Sequence, residues 1–234
     1  VVLSNIVVAE LKIAPMSNER CTNCHQLSTN TWKKSDHAKS MAKPNKENTL
    51  GDFNDKHVDH YGQKAFFFKS NDINQVAISY DKNTTTYLIK YVVGYFPLQQ
   101  YLVETKEGQL QVLPFAWDSR AKKEGGQRWF HIYSHEEIRP EDRLHWRQPL
   151  QNWNGMCADC HSDGLVRNYD AEKNRFNTQF DNINVGCLSC HGDMSQHADQ
   201  LDLRKNKNHA ASRTNRSYHW IRNEGEKTAK YRAD

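Results

Sequence analysis

The amino-acid sequence predicts an α+β fold in which an antiparallel β-meander is inserted between helical and loop segments. Residues 64–133 form short runs rich in aromatic and β-branched residues, which is typical of strands, and a repeated cysteine motif lies on either side of them. Hydrophobic residues make up only 37% of the 234 residues, and the mean hydropathy is −0.93. Because both values are low for a globular protein of this size, we expect something other than side chains to fill much of the interior.

The meander is predicted to have five or six strands, separated by turn signals such as Ser70-Asn71-Asp72, Asp81-Lys82-Asn83 and Glu107-Gly108. In chain order, the strand sequences are KAFFFK, QVAISY, TTYLIKYVV, QQYLVET, QLQVLPFAW and RWFHIY. The chain is accordingly divided into three parts, which we expect to pack as one compact unit. These are an N-terminal strand and first helical segment (1–63), the antiparallel β region (64–133), and a segment with the other two motifs and a polar tail (134–234).

Helices are predicted around the cysteine motifs. The first motif opens a helical segment from about Asn23 to Lys43, which Pro44 ends. The other two motifs are placed on short helices, and Met194–Leu203 is predicted to form another. The stretch GDFNDKHVDHYG, which contains His57 and His60, is predicted to be a polar loop with solvated histidines.

The N-terminal segment and the charge bear on export, membrane insertion and nucleic-acid binding. The start, VVLSNIVVAELKI, has no initiator Met and no basic n-region, so it is predicted to be the first strand of a mature chain after signal-peptide removal, with a membrane-anchor stub as the alternative. No stretch approaches about 18 uncharged apolar residues, so we expect no membrane span. The net charge of +4 is spread without a run of five basic residues, so no nucleic-acid partner is expected.

All six cysteines occur in three Cys-x-x-Cys-His motifs, the attachment pattern of c-type haem. The motifs are Cys21-Thr22-Asn23-Cys24-His25, Cys157-Ala158-Asp159-Cys160-His161 and Cys187-Leu188-Ser189-Cys190-His191. In haem c the two thiols add across the vinyl groups of the porphyrin, and the histidine binds the iron. A four-thiolate zinc site or a set of redox pairs would leave the histidine after each pair unexplained, and only 12 residues are histidine.

Three covalent haem c groups are therefore predicted, and these large apolar plates are expected to form much of the core. Because haem c is attached outside the cytoplasmic membrane, the protein is predicted to be exported, either to a bacterial periplasm or to the cell exterior. His25, His161 and His191 are predicted as proximal iron ligands. Histidines far outnumber the four methionines, so bis-histidine ligation and low reduction potentials are favoured.

Sequence spacing limits which histidines can share one iron. A helix advances about 9 Å in six residues, so His197 is not expected to reach the far side of the macrocycle whose iron His191 binds. The same reasoning weakens His37 as the partner of His25. We expect such histidines to bind neighbouring haems, which would bring the haems close enough for electron transfer.

Longer stretches of the sequence match a known family. They are CTNCH followed by WKKSDHA, then LGDFND, PLQQYLV, AWDSR, GQRWFHIY, LHW, QNWNGMCADCHS and VGCLSCHGDMSQHAD. Through these stretches, from Cys21 to Asp199, the chain resembles bacterial multihaem c-type cytochromes related to the tetrahaem nitrification cytochrome, often fused to tetratricopeptide repeats. The resemblance implies four distal-ligand candidates, which are His37, His131, His145 and His197. Three haems need only three distal ligands, so at least one of the four must have another role.

The sequence favours an electron carrier over an enzyme, because three bis-histidine haems would have no open coordination site. Its expected partners are redox proteins or neighbouring copies of the chain. In one variant of this hypothesis, the apolar N-terminal segment adds as a strand to a neighbour's sheet and builds an extracellular filament. The alternatives are an oxidoreductase with one open haem iron acting on a small nitrogen or sulfur compound, and a haem-dependent sensor or scaffold.

Overall fold

The computed structural model describes residues 17–192, 194–205, 218–221 and 230–233. The chain divides into two compact units, one that ends at Met194 and one that begins at Ser195. The first unit contains the three cysteine motifs and most of the strands. The predicted N-terminal strand, residues 1–13, lies outside the described residues.

A nine-stranded antiparallel sheet forms the centre of the first unit. Its strands are β1 (Met41–Ala42), β2 (Lys56–His60), β3 (Gln63–Ser70), β4 (Ile73–Tyr80), β5 (Asn83–Val93), β6 (Leu98–Lys106), β7 (Gln109–Val112), β8 (Phe115–Asp118) and β9 (Arg128–His131). The strands lie in the order β2-β3-β4-β5-β6-β8-β9, while β1 pairs with β5 and β7 pairs with β6. Successive strands from β2 to β7 are neighbours, so the predicted antiparallel meander is confirmed.

Two smaller hairpins complete the strand inventory of the described residues. β10 (Tyr169–Asp170) pairs with β11 (Arg175–Phe176) in the first unit. In the second unit, β12 (Tyr218–Ile221) pairs with β13 (Lys230–Ala233) within the tail that was predicted to be polar.

Two strand predictions differ from the structure. The run QLQVLPFAW forms two strands, β7 and β8, because Pro114 lies between them and has no N–H for a sheet ladder. The prediction of a polar loop around His57 and His60 is wrong, because both residues belong to β2. His57 stacks on Phe66 of β3 with ring centroids 4.3 Å apart. Such cross-strand contacts stabilise a strand whose composition alone suggests a loop.

Aromatic side chains form the core of the sheet. The rings of Phe67 and Trp129 are stacked with centroids 3.6 Å apart, and Phe53 meets Trp129 edge-on at 5.4 Å. The buried hydroxyl of Tyr101 donates to Oε1 of Gln99 at 2.7 Å. The sheet therefore has a side-chain core of its own, apart from any volume that a cofactor fills.

The helices are few and short. They are α1 (Asn18–Thr22), α2 (Gln26–Lys33), α3 (Trp153–Met156), α4 (Ala158–His161), α5 (Cys187–His191) and, in the second unit, α6 (Ser195–Lys205). Short helices at the second and third motifs are thus confirmed, as is a helix near Met194–Leu203. In the described part of the chain, none of the helices has the length and apolar character needed to cross a membrane.

The predicted helical segment from Asn23 to Lys43 is wrong in its extent. The helix α2 ends at Lys33, where the amide and hydroxyl of Ser35 both donate to the carbonyl of Trp32. This tighter hydrogen bonding ends the helix. After a series of turns, β1 pairs with the end of β5, so tertiary pairing overrides the helical tendency of the segment.

Candidate functional site

The first cysteine motif lies at the junction of α1 and α2. Cys21 belongs to α1, and His25 is the residue that precedes α2. The amide of His25 donates to the carbonyl of Cys21 at 2.9 Å, and the carbonyl of His25 accepts from the amide of Thr29 at 2.9 Å. The motif is therefore held as one compact turn that is continuous with α2.

The second and third motifs stand at the two ends of one β-hairpin. Next to the motifs, Asp163 pairs with Asn182, and farther along the hairpin Val166 pairs with Gln179. The strands β10 and β11 form its outer part. Because the hairpin returns the chain to its starting point, α5 begins beside the end of α4.

The sheet anchors the second motif through α3. Oδ1 of Asn154 accepts from the amide of Leu110 in β7 at 2.8 Å, and Nδ2 of Asn152 donates to the carbonyl of Leu110 at 3.1 Å. Trp153, which is 1% exposed, packs in a second core cluster with Ala158 of the motif. The helix that leads into Cys157 is therefore fixed against the sheet.

The first and third motifs touch at their first cysteines. The side chains of Cys21 and Cys187 are neighbours, and Oδ1 of Asn18 accepts from the amide of Cys187 at 2.8 Å. Burial, reinforced by the neighbouring Cys21 thiol and the Asp163 carboxylate, raises the pKa of Cys187 to about 11. Two attachment points that are remote in sequence are thus adjacent in space.

Hydrogen bonds also join the segment after the first motif to the segment before the third. They run from Nε1 of Trp32 to the carbonyl of Val185 (2.9 Å), from Nδ2 of Asn184 to the carbonyl of Ala38 (3.0 Å), and from the amide of Val185 to Oγ of Ser40 (3.2 Å). Burial lowers the pKa of His161, while a hydrogen bond between its imidazole and the Ser40 backbone opposes that shift. All three motifs therefore meet around the segment that follows α2.

An arginine braces the loop of the second motif. The guanidinium of Arg167 forms an ion pair with Asp159, which lies between the two cysteines of that motif. Nε of Arg167 also donates to the carbonyl of Asn154 in α3 at 3.0 Å. A single side chain thus links α3 to the motif loop, although both charged groups are partly exposed and the pair adds little stability.

The motif side chains fit the requirements of haem c attachment. In each motif the second cysteine is exposed and the first is half-buried, and no disulfide joins the six, all of which lie in the described residues. Among the described side chains, Nδ1 of His161 is buried without a hydrogen-bond partner. Buried polar atoms normally have a partner, so the described side chains leave one hydrogen-bonding need of this imidazole unmet.

Apolar side chains are exposed beside two of the motifs. Leu27, which follows His25 by two residues, is 84% exposed, and Met156, which precedes Cys157, is 56% exposed. Single exposed apolar side chains are common on protein surfaces. These two lie beside attachment cysteines, so a porphyrin bound there would have apolar side chains to pack against.

The zinc alternative finds no support in the geometry. Within the ranges that the structure describes, no group of three or more His, Cys, Asp or Glu side chains is arranged to hold a metal ion directly. The second and third motifs lie entirely within those ranges. Their four cysteines therefore do not form a four-thiolate cluster.

The four distal-ligand candidates lie in different surroundings. His37 is exposed in the turns between α2 and β1, and His197 is exposed on α6 of the second unit. His131 and His145 are each 6% exposed, and both line the same small cavity. The structure thus brings His131 and His145 together and does not bring His37 to them.

Backbone amides hold one nitrogen of each buried histidine. The amide of Tyr133 donates to Nδ1 of His131 at 3.1 Å, and the amide of Arg147 donates to Nδ1 of His145 at 3.3 Å. Burial lowers the pKa of both imidazoles, that of His131 to about 4. Both rings are therefore neutral at pH 7, with the proton on Nε2.

His60 belongs to the same cluster, although the sequence placed it in a loop. Its ring stacks on His131 with centroids 3.8 Å apart, and its Nε2 lies 2.9 Å from the carbonyl oxygen of Glu136. The alternation of exposed and half-buried residues from His57 to His60 is the strand signal that could have revealed it. The charged and polar composition of those residues concealed the pattern.

Comparisons with known proteins give one family and one solved structure. The family model described as cytochrome c554 and c-prime matches residues 20–72 and 117–192, together more than half of the chain. The crystal structure of the outer cell wall cytochrome OcwA is similar with a TM-score of 0.48 and 19% sequence identity. The alignment covers 80% of this chain and 33% of the OcwA chain, so this chain spans about a third of that protein. No curated protein sequence matches.

Proposed function

The chain belongs to the cytochrome c554 and c-prime family, and on this basis we propose that it transfers electrons through three covalently attached haem c groups. The observation that carries the proposal is the convergence of the three Cys-x-x-Cys-His motifs in one unit. In particular, Cys21 contacts Cys187 across most of the chain length. Electron exchange between haems requires that the haems be close together, and the attachment points of the first and third motifs are close together.

Each motif supplies two thiols for attachment and one imidazole for the iron. The proposed attachment residues are Cys21, Cys24, Cys157, Cys160, Cys187 and Cys190, and the proposed proximal ligands are His25, His161 and His191. Bound haem iron supplies one-electron chemistry. The chain's own groups would hold the motifs that bind it, since α3 and the Arg167–Asp159 pair brace the second motif and Asn18 braces the third.

Histidine is the proposed sixth ligand of the irons. Of the four candidates, His37 and His197 lie at the surface. His131 and His145 are buried in their shared cavity, with Nδ1 engaged by a backbone amide and the proton on Nε2, the nitrogen that usually binds haem iron. We propose that at least one of these two keeps a structural role in place of ligation.

The proposed setting is outside the cytoplasmic membrane, where haem c is attached. Redox proteins or neighbouring copies of the chain are the proposed partners. Polymerisation into a filament through the segment 1–13 extends this proposal, and it is supported by the apolar composition of that segment. Electron micrographs of the purified protein that contain only discrete particles would contradict the filament.

Haem content tests the function directly. The purified protein is expected to contain three haems per chain by pyridine haemochrome assay and intact mass. Replacing both cysteines of the second motif, Cys157→Ala and Cys160→Ala, should remove one haem, whereas the neighbouring control Met156→Leu should retain three. A wild-type count other than three, or no loss in the double variant, contradicts the proposal.

Electron paramagnetic resonance spectra with and without cyanide then separate carrier from enzyme. A pure electron carrier is expected to have three low-spin irons that do not bind cyanide, so that the spectra are unchanged when cyanide is added. A high-spin iron that binds cyanide would favour the oxidoreductase.

A further inference from the structure

Asp163 lies buried between the second and third motifs. It follows His161 by two residues and is 3% exposed. Its Oδ1 accepts a hydrogen bond from the hydroxyl of Ser189, which lies between the two cysteines of the third motif. Its Oδ2 is 3.5 Å from Nδ2 of Asn182. One carboxylate thus connects the end of one motif with the interior of another.

The chain packs closely around this carboxylate. A Cβ atom at Gly186 would overlap Oδ2 of Asp163, so the backbone that enters the third motif passes directly beside it. The same Cβ would lie 2.7 Å from the side chain of Asn18, which accepts from the amide of Cys187. Asp163 and Asn18 therefore hold the start of α5 from two sides.

Only neutral groups donate hydrogen bonds to the Asp163 side chain in the residues that the structure describes. Within the same residues, no Lys or Arg forms an ion pair with it. A hydroxyl and an amide stabilise a carboxylate without cancelling its charge. A buried charge acts more strongly on its neighbours than a surface charge, because the surrounding dielectric constant is lower.

We propose that Asp163 is a positioning residue that fixes the third motif against the second, and that its negative charge lowers the reduction potential of the haem held by the third motif. The inference rests on the proposed function. Reduction adds an electron to the iron, so a nearby negative charge favours the oxidised form. Charge and hydrogen bonds close to the attachment loop are established means by which a protein sets such potentials.

Spectroelectrochemical titration of the haem-loaded full chain tests the proposal. Asp163→Asn keeps the shape of the side chain and removes its charge. The equilibrium constant for reduction of at least one of the three haems should rise about tenfold. For a one-electron step this raises the reduction potential by about 59 mV. The matched control is Asp170→Asn, a carboxylate of β10 that pairs with Arg175 and Lys173 and lies away from the motifs. It should leave all three steps unchanged.

A second variant keeps the test decisive if Asp163→Asn loses haem. Ser189→Ala removes the hydroxyl donor and leaves the carboxylate. The hydroxyl dipole then no longer offsets part of the negative charge, so the same step should shift downward. A merely structural contact would change thermal stability and leave the potentials in place. Unchanged potentials in Ser189→Ala, or in an Asp163→Asn protein with full haem content, would overturn the proposal.

The haem count is measured first on every variant. A wild-type protein without three haems contradicts the proposed function itself. If Asp163→Asn and Ser189→Ala each carry three haems and have wild-type reduction potentials, only the role of Asp163 is contradicted.

Discussion

At the scale of single residues, Asp118 and Arg120 illustrate how the chain closes a hairpin with one ion pair. The guanidinium of Arg120 donates to both oxygens of Asp118, from Nε at 3.0 Å and from Nη2 at 2.6 Å. The Asp118 side chain is 6% exposed and the Arg120 side chain is 44% exposed. The hydrogen bonds from Arg120 hold the pKa of Asp118 below its usual value of 3.8. This geometry fixes the chain between β8 and β9.

Asp118→Asn is predicted to lower stability at neutral pH and to flatten the acid side of the stability profile. A carboxylate with a lowered folded-state pKa contributes stability above its unfolded pKa, near 4, and loses it as the pH falls through the folded value. The difference in urea unfolding free energy between wild type and variant should therefore be largest at pH 7 and vanish in acid. Asp81→Asn, at an exposed turn carboxylate, is the control. A difference that is independent of pH would contradict the assignment.

At the scale of elements, the hairpin between the second and third motifs depends on close contact with the sheet. Gly108, in the turn between β6 and β7, has a φ angle of 71°, and a Cβ there would overlap the carbonyl of Phe176 in β11. The carbonyl of Gly108 also accepts from Nδ2 of Asn154 at 3.1 Å. This one turn thus positions both the hairpin and the helix that precede the attachment points.

Gly108→Ala is predicted to cost more stability than Gly62→Ala. Both positions have left-handed backbone, with φ angles of 71° and 82°, so each substitution carries a strain of about 1–3 kcal/mol. A Cβ at Gly62 has no described atom within 4 Å, whereas at Gly108 it meets backbone, which should add about 1–3 kcal/mol of overpacking. Urea unfolding of the two variants measures the difference. Equal losses would mean that the turn and the hairpin are not in contact in solution.

Elements governed by local chemistry could be predicted from the sequence, whereas those governed by tertiary contacts could not. The turns at Asn71-Asp72 and Gly108 separate strands because their residues accept positive φ angles. By contrast, β2 is polar, and although the turn at Tyr61-Gly62 joins it to β3, the stacking of His57 on Phe66 cannot be deduced from the composition of β2. The end of α2 at Lys33 likewise reflects turns and pairing that its helical composition does not encode.

At the scale of the whole molecule, the decisive feature is that three motifs from distant parts of the chain meet. The sequence identifies every cysteine and histidine of the motifs, because the spacing is set by covalent chemistry. It could not reveal that Cys21 contacts Cys187, that Asp163 reaches Ser189, or that His131 and His145 share a cavity. Those contacts depend on the hairpin and the sheet, and no periodicity in the sequence encodes a pairing between such distant segments.

The bond from Trp32 to Val185 offers a test of this convergence, since it joins α2 to the segment that precedes the third motif. Trp32→Phe keeps an aromatic ring and removes the donor, which should cost about 1 kcal/mol. A cost of that size raises the local opening equilibrium about fivefold. Hydrogen–deuterium exchange of a peptide spanning residues 182–192 should therefore be faster in the variant, because the amides of Val185 and Cys187 are held by groups near the first motif.

The matched control for this measurement is Trp117→Phe. Among the described residues, Nε1 of Trp117 is buried without a hydrogen-bond partner, so the substitution removes the same atoms and breaks no bond. Trp117→Phe should lower global stability through lost packing. It should leave the ratio of the exchange rate in residues 182–192 to the exchange rate in the sheet at its wild-type value. Equal acceleration in both variants would mean that the third motif opens only when the whole unit unfolds, and that Trp32 has no separate role in holding the motifs together. Selective acceleration in Trp32→Phe would establish the segment after α2 as the element that keeps the first and third attachment points in contact.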